Sequence, residues 1–121
     1  MDTDILIDVS KGNERAIGFL NGLEDSTISA ISSMELVVGA RNKEEITVIE
    51  EFLSIYDRVN VNEDISAKAF ELIKQHSLSD GLSIPDAFIA ATSISKNLIL
   101  ATKNTKHFKR IKDIKLKAPN Y

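Results

Sequence analysis

The sequence has no cysteine and no tryptophan, and only two prolines and five glycines in 121 residues. Without cysteine there is no disulfide framework, no thiolate nucleophile and no zinc site built on sulfur, so metal chemistry is left to carboxylates and two histidines. Hard cations are then the natural candidates. The few glycines and prolines do not cluster, which excludes a linker, a low-complexity tract or an array of short repeats. Long apolar runs are missing too: Leu98-Ile99-Leu100-Ala101 is far shorter than the roughly 18 residues a membrane helix needs. The opening Met1-Asp2-Thr3-Asp4 lacks a basic leader segment. The expectation is one compact domain over residues 1–121, cytoplasmic and without a membrane.

What is present is an ordinary globular balance, with 43% apolar and 27% charged residues, and an uneven charge map. The net charge of −3 gives no whole-molecule attraction to nucleic acid. Yet seven of the fifteen Lys and Arg lie between Lys103 and Lys117, where Asp113 is the one acid, while the first 57 residues hold twelve of the eighteen acids. A basic strip facing an acidic pocket is one outcome of that map, and a plain solvated face is the other.

Short apolar strand signals alternate with helical periodicity, which predicts an α/β domain with a mainly parallel sheet of four or five strands between helical layers. The first strand must be very short and end near Asp2. A helical turn is expected from Ile5 to Ser10, and a helix from Asn13 to Leu23 with Ile17, Leu20 and Leu23 as its apolar stripe. Strands are expected at Thr27–Ser29, around Val59 and Val61, and at Leu98–Ala101. The capping signals place helices at Ser32 to Ala40, Lys43 to Ser54, Glu63 to Gln75 behind Asn62, and Ile84 to Ser95 behind Ser83, with a last turn at Thr105 to Arg110.

The spacing of the acids on this framework is informative. Asp2 and Asp4 fall at the end of strand one, and Glu35 and Asp86 in the first turns of helices. In an open parallel sheet these positions converge on the crevice outside the carboxyl ends of the strands. Converging carboxylates repel unless a cation neutralises them, and Mg²⁺ or Mn²⁺ suits an all-oxygen site able to hydrolyse a phosphodiester. Each acid also has an ordinary explanation. Ser32-Ser33-Met34-Glu35 reads as a capping box, Asp86 follows Pro85 in a helical first turn, Asp2 and Asp4 can cap a helix, and Asp8, Asp80 and His76 can sit in solvent.

Four blocks, in order and spacing, resemble the PIN-domain nucleases: Asp2 to Ile7, Ser33 to Gly39, Ile84 to Ala91 and Thr102 to Phe108. The last two, with Ile111 and the closing Leu116 to Pro119, are similar to the VapC toxins of toxin–antitoxin pairs. The resemblance implies a three-layer α/β/α domain and a Mg²⁺- or Mn²⁺-dependent ribonuclease. It implies Asp2, Glu35 and Asp86 as acidic metal ligands, Asp4 beside them as a further metal contact, and Asn104 where many members carry a fourth acid. Thr3 and Thr102 become supporting residues. Lys103, Lys106, Lys109 and Arg110 would then engage RNA phosphates, and His107 would be a structural contact. Partners implied are RNA, a small VapB-like antitoxin and a second copy in a homodimer. Two departures stand out: Asp4 replaces the usual Asn, and Asn104 keeps an oxygen donor but loses a charge, which weakens the case for a second metal. The alternatives are a PIN-like scaffold that binds RNA or a partner without cutting, and a haloacid-dehalogenase-type phosphatase using Asp2-Thr3-Asp4. The latter lacks the expected acids after Leu100.

Overall fold

The computed structural model of the chain describes residues 1–23 and 27–121. In chain order the elements are α1 Thr3–Ser10, α2 Glu14–Asn21, β1 Thr27–Ser29, α3 Ala30–Val38, α4 Lys43–Leu53, β2 Asp57–Val59, α5 Glu63–Asp80, α6 Ile84–Ser95, β3 Ile99–Ala101, a 3₁₀ turn Thr105–His107 and β4 Lys115–Lys117. Most helix starts carry the cap that the sequence advertises: Asn13, Asn42, Asn62 and Ser83 each accept a hydrogen bond from a backbone N–H inside the first turn.

The strands are all parallel, as expected, but they form two pairs instead of one continuous sheet. Thr27, Ile28 and Ser29 face Asp57, Arg58 and Val59, and Ile99, Leu100 and Ala101 face Lys115, Leu116 and Lys117. The expected first strand is reduced to Met1 and Asp2, which bridge the seam between the pairs. The N-terminal ammonium donates to the Thr27 carbonyl at 3.4 Å, and the Asp2 N–H donates to the Ala101 carbonyl at 2.8 Å. Two residues reach both neighbours because alternate residues of a strand bond to opposite sides. The helix begins at Thr3, so Asp2 is the last residue of this extended segment.

Two buried clusters hold these layers. The larger joins α5 and α6 to β3 through Ile65, Leu72, Ile89, Leu100, Phe108 and Ile111. Small side chains at Ala69, Ala87, Ala90 and Ala91 let the two helices approach closely. The smaller cluster is Leu6, Ile28 and Tyr56. Fully burying each large apolar side chain contributes on the order of 1.5–3 kcal/mol.

Several expected details shift. α2 ends at Asn21 and buries Ala16; of the expected stripe, Leu20 packs against the smaller cluster while Ile17 is 36% exposed. Val61 lies beyond β2. α5 runs on to Asp80, five residues past Gln75, and stops at Gly81, whose φ of 66° is left-handed. A Cβ there would meet open space, so Gly81→Ala is expected to cost only the backbone strain of about 1 kcal/mol. Denaturant titration would register this as a lower midpoint with an unchanged slope.

Candidate metal and phosphodiester site

α3 follows directly on β1, a loop follows β3 after Ala101, and α1 starts at Thr3 behind the extended Asp2; the acidic side chains meet at these three turns of the chain. Asp2 caps α1: its Oδ1 accepts the Thr3 N–H at 2.7 Å and its Oδ2 accepts the Thr102 hydroxyl at 2.7 Å. Both residues are buried. The Thr102 oxygen also receives the Asn104 N–H at 3.0 Å and lies 3.4 Å from Asp4 Oδ2. Asp4 Oδ2 accepts the Lys103 N–H at 3.1 Å, whereas its Oδ1 is buried without a partner. Thr3 donates its hydroxyl to Glu35 Oε1 at 2.7 Å, so it anchors two acids, Asp2 through its N–H and Glu35 through its hydroxyl.

The capping-box expectation for Glu35 does not hold. α3 starts three residues earlier than Ser33, at Ala30, with Ser29 as its cap, and Glu35 is free to face Thr3. Asp86 does sit in the first turn of α6, its N–H donating to Ser83 Oγ at 3.3 Å. Its Oδ2 lies 3.7 Å from His107 Nδ1, and that nitrogen is also 2.9 Å from Asn104 Nδ2. His107 thereby links the third acid to the asparagine, close to the structural contact expected of it.

The electrostatics record the crowding. Asp86 is pushed above the ordinary carboxylate range by desolvation first and by the charge of Asp2 second, with Glu35 adding a smaller push. Asp4 is raised by desolvation and then by Asp2. Among the described residues, no three carboxylates or imidazoles stand close enough together to enclose an ion. What is present is an all-oxygen donor set under mutual repulsion, with one buried carboxylate oxygen, Asp4 Oδ1, left over. That chemistry fits a hard divalent cation that draws the acids inward as it binds.

The basic residues divide. Lys106 and Lys109 are exposed. Arg110 is tied to Asp80 Oδ1 at 3.0 Å, and Asp80 Oδ2 meets His76 Nδ1 at 2.8 Å, so neither Asp80 nor the half-covered His76 is the idle solvent residue expected. Asp8 is likewise engaged: its Oδ2 holds Lys103 Nζ at 2.6 Å and the Tyr121 hydroxyl at 2.8 Å. Those contacts keep the Asp8 carboxyl below its usual range and raise Lys103, while the Tyr121 phenol is raised by desolvation first and by its hydrogen bond to Asp8 second. The i,i+4 spacing of Asp4 and Asp8 on one helical face was the available signal for Asp8. Nothing in the sequence pointed to Tyr121.

This arrangement has counterparts. A PIN domain family model matches residues 1–114. The Ribonuclease VapC1 of Methanocaldococcus jannaschii is 35% identical over 119 residues, which is 97% of this chain and 83% of that protein. Among solved structures, a toxin–antitoxin complex from Klebsiella pneumoniae is similar at a TM-score of 0.82 and 33% identity, covering 98% of this chain and 94% of that one. A DNA-bound VapBC from Salmonella typhimurium is similar at 0.80 and 26%, covering 97% and 94%.

Proposed function

The chain belongs to the PIN domain family, and from that premise we propose that it is a divalent-metal-dependent ribonuclease, the toxin of a VapBC-type pair, acting in the cytoplasm. The observation that carries this is the convergence of Asp2, Asp4, Glu35 and Asp86 around Thr3 and Thr102, with two of the acids raised by shared charge and burial. Asp2, Glu35 and Asp86 would hold Mg²⁺ or Mn²⁺, with Asp4 as a further oxygen donor. When bound, such an ion supplies charge neutralisation at a phosphoryl oxygen and a more acidic water.

The chain's own groups do the rest. Thr102 fixes the Asp2 carboxylate through one oxygen, Thr3 fixes Glu35, and the Asn104–His107 pair flanks Asp86. Both Asp2 oxygens already accept hydrogen bonds, which argues against this residue as the covalent nucleophile of a phosphatase. Asn104 offers an oxygen without a charge, so a second ion would be held more weakly than the first.

An antitoxin partner is supported by the apolar surface of α3 and α4. Met34 and Val38 are 60% and 83% exposed and line, with Ile46 and Leu53, a cleft of about 910 Å³. Surface of this kind marks a protein interface. We assign a homodimer to the chain on the family resemblance.

The test is incubation of the purified chain with a panel of structured and unstructured RNAs in Mg²⁺, Mn²⁺ or EDTA. Cleavage that disappears with EDTA and returns with added metal is expected. A folded, metal-binding chain that cuts none of them would leave a scaffold in place of a nuclease.

A further inference from the structure

A second feature lies beside the acidic pocket, between α2 and the C-terminal residues. It is a groove of about 530 Å³ lined by Arg15, Gly18, Phe19, Lys117 and Tyr121 among others. Arg15, Gly18 and Phe19 share one face of α2 through their three- and four-residue spacing. The Phe19 and Tyr121 ring centroids are 6.4 Å apart and tilted by 59°. Lys117 Nζ lies 5.7 Å from the Phe19 centroid and Lys103 Nζ 6.0 Å from that of Tyr121. Cations therefore alternate with aromatic faces. The described side chains lining the groove include two cations and no acid, in a chain whose net charge is −3.

A chain of contacts through Lys103, which stands outside the groove's lining, links the groove to the site. Lys103 donates its backbone N–H to Asp4 and its ammonium to Asp8, and Asp8 receives the Tyr121 hydroxyl, whose ring faces Phe19. Lys103 is thus the joint between acids and groove.

We propose that this groove is the track for single-stranded RNA flanking the cut bond, its phosphates on Arg15, Lys117 and Lys103 and its bases against Phe19 and Tyr121. The inference rests on the ribonuclease reading and adds the path that the substrate takes across this chain. Alternating cations and rings suit a single strand, whose unstacked bases offer π-faces irrespective of sequence. A duplex buries those faces and is recognised across wide grooves instead. Gly18 leaves the floor open, since a Cβ there meets nothing within 4 Å. Asp8 competes with an incoming phosphate for the Lys103 ammonium.

The experiment measures binding of a short fluorescein-labelled single strand, and of its duplex, to the catalytically silent Asp86→Asn chain by anisotropy between about 50 and 200 mM salt. Combining Arg15→Gln with Lys117→Gln should weaken single-strand binding about tenfold and flatten the log–log salt slope by about 1.4, at ~0.7 per phosphate contact. Combining Phe19→Leu with Tyr121→Leu should weaken it about five- to tenfold with the slope unchanged. Gly18→Leu fills the groove without a backbone clash and should act like the charge pair, while duplex binding moves little. Thermal melts show whether each variant folds.

Groove variants that bind the single strand as the parent does, while the unsubstituted chain still cleaves RNA, would overturn the track and leave the nuclease standing. The track falls in the same way if Lys106→Gln with Lys109→Gln carries the salt slope instead. An unsubstituted chain that cuts no RNA in either metal removes the ribonuclease reading, and this inference with it.

Discussion

Asp86→Asn is expected to lower RNA cleavage by at least about 10²–10³-fold, the scale on which a preorganised electrostatic partner of the transition state is lost. The same substitution should make the metal-free fold more resistant to heat at neutral pH. Both expectations come from one observation: the Asp86 carboxyl is raised by desolvation and by Asp2. An acid whose folded pKa lies above its unfolded value is penalised in the folded state once it ionises. The penalty is absent below the ordinary carboxylate range, grows as pH rises through the unfolded and then the folded pKa, and is fully present above both. The Asn variant lacks it, so the two melting curves should differ at pH 7 and converge in acid. Added Mg²⁺ should raise the melting temperature of the unsubstituted chain more than that of the variant. Undiminished metal-dependent cleavage by the variant would remove Asp86 from the site.

Thr102→Val is the second large expectation, and it isolates polarity from shape because the two side chains are nearly isosteric. The Thr102 hydroxyl donates to Asp2 and accepts from Asn104 N–H in a fully buried position. Valine strands a carboxylate oxygen and an amide together. At roughly 1–3 kcal/mol for each buried group left unpaired, the expected loss is about 3 kcal/mol of stability. Activity should also fall about 10–100-fold, as it does when the partner that orients a metal ligand is removed. Thr102→Ser keeps the hydroxyl and should recover most of the activity while losing some packing. A valine variant as active as the parent would mean that Asp2 holds its orientation without Thr102.

How much of this could be read beforehand follows from where the information is local. The helix starts at Glu63 and Ile84 were legible because the caps Asn62 and Ser83 write a start into two or three adjacent residues. Strand Thr27–Ser29 was legible as a short strand around Ile28. Glu35 was misread locally and well placed globally. The box Ser32 to Glu35 has a cap's spelling, but Ser29 takes the capping role because α3 begins as soon as β1 ends. The division of the strands into two pairs leaves no mark in the periodicity. Long-range pairings were the least visible: Thr3 with Glu35, Thr102 with Asp2, and Asp8 with Lys103 and Tyr121 join residues 32 to 113 positions apart. Composition suggested that acids and bases would face one another, and only the fold says which ones.

The seam between the two strand pairs bears on how such a molecule ages and fails. Asp2 and Thr102 ride with β3, Glu35 rides with β1, and among the described residues the backbone bonds that cross between these halves pass through Met1 and Asp2. A pair of backbone bonds opens more readily than a buried core does. A slight parting along this line would spread the carboxylates while leaving α5, α6 and their shared core intact. Competence to cut and persistence of the fold are therefore two separate durabilities, and the first is the more perishable.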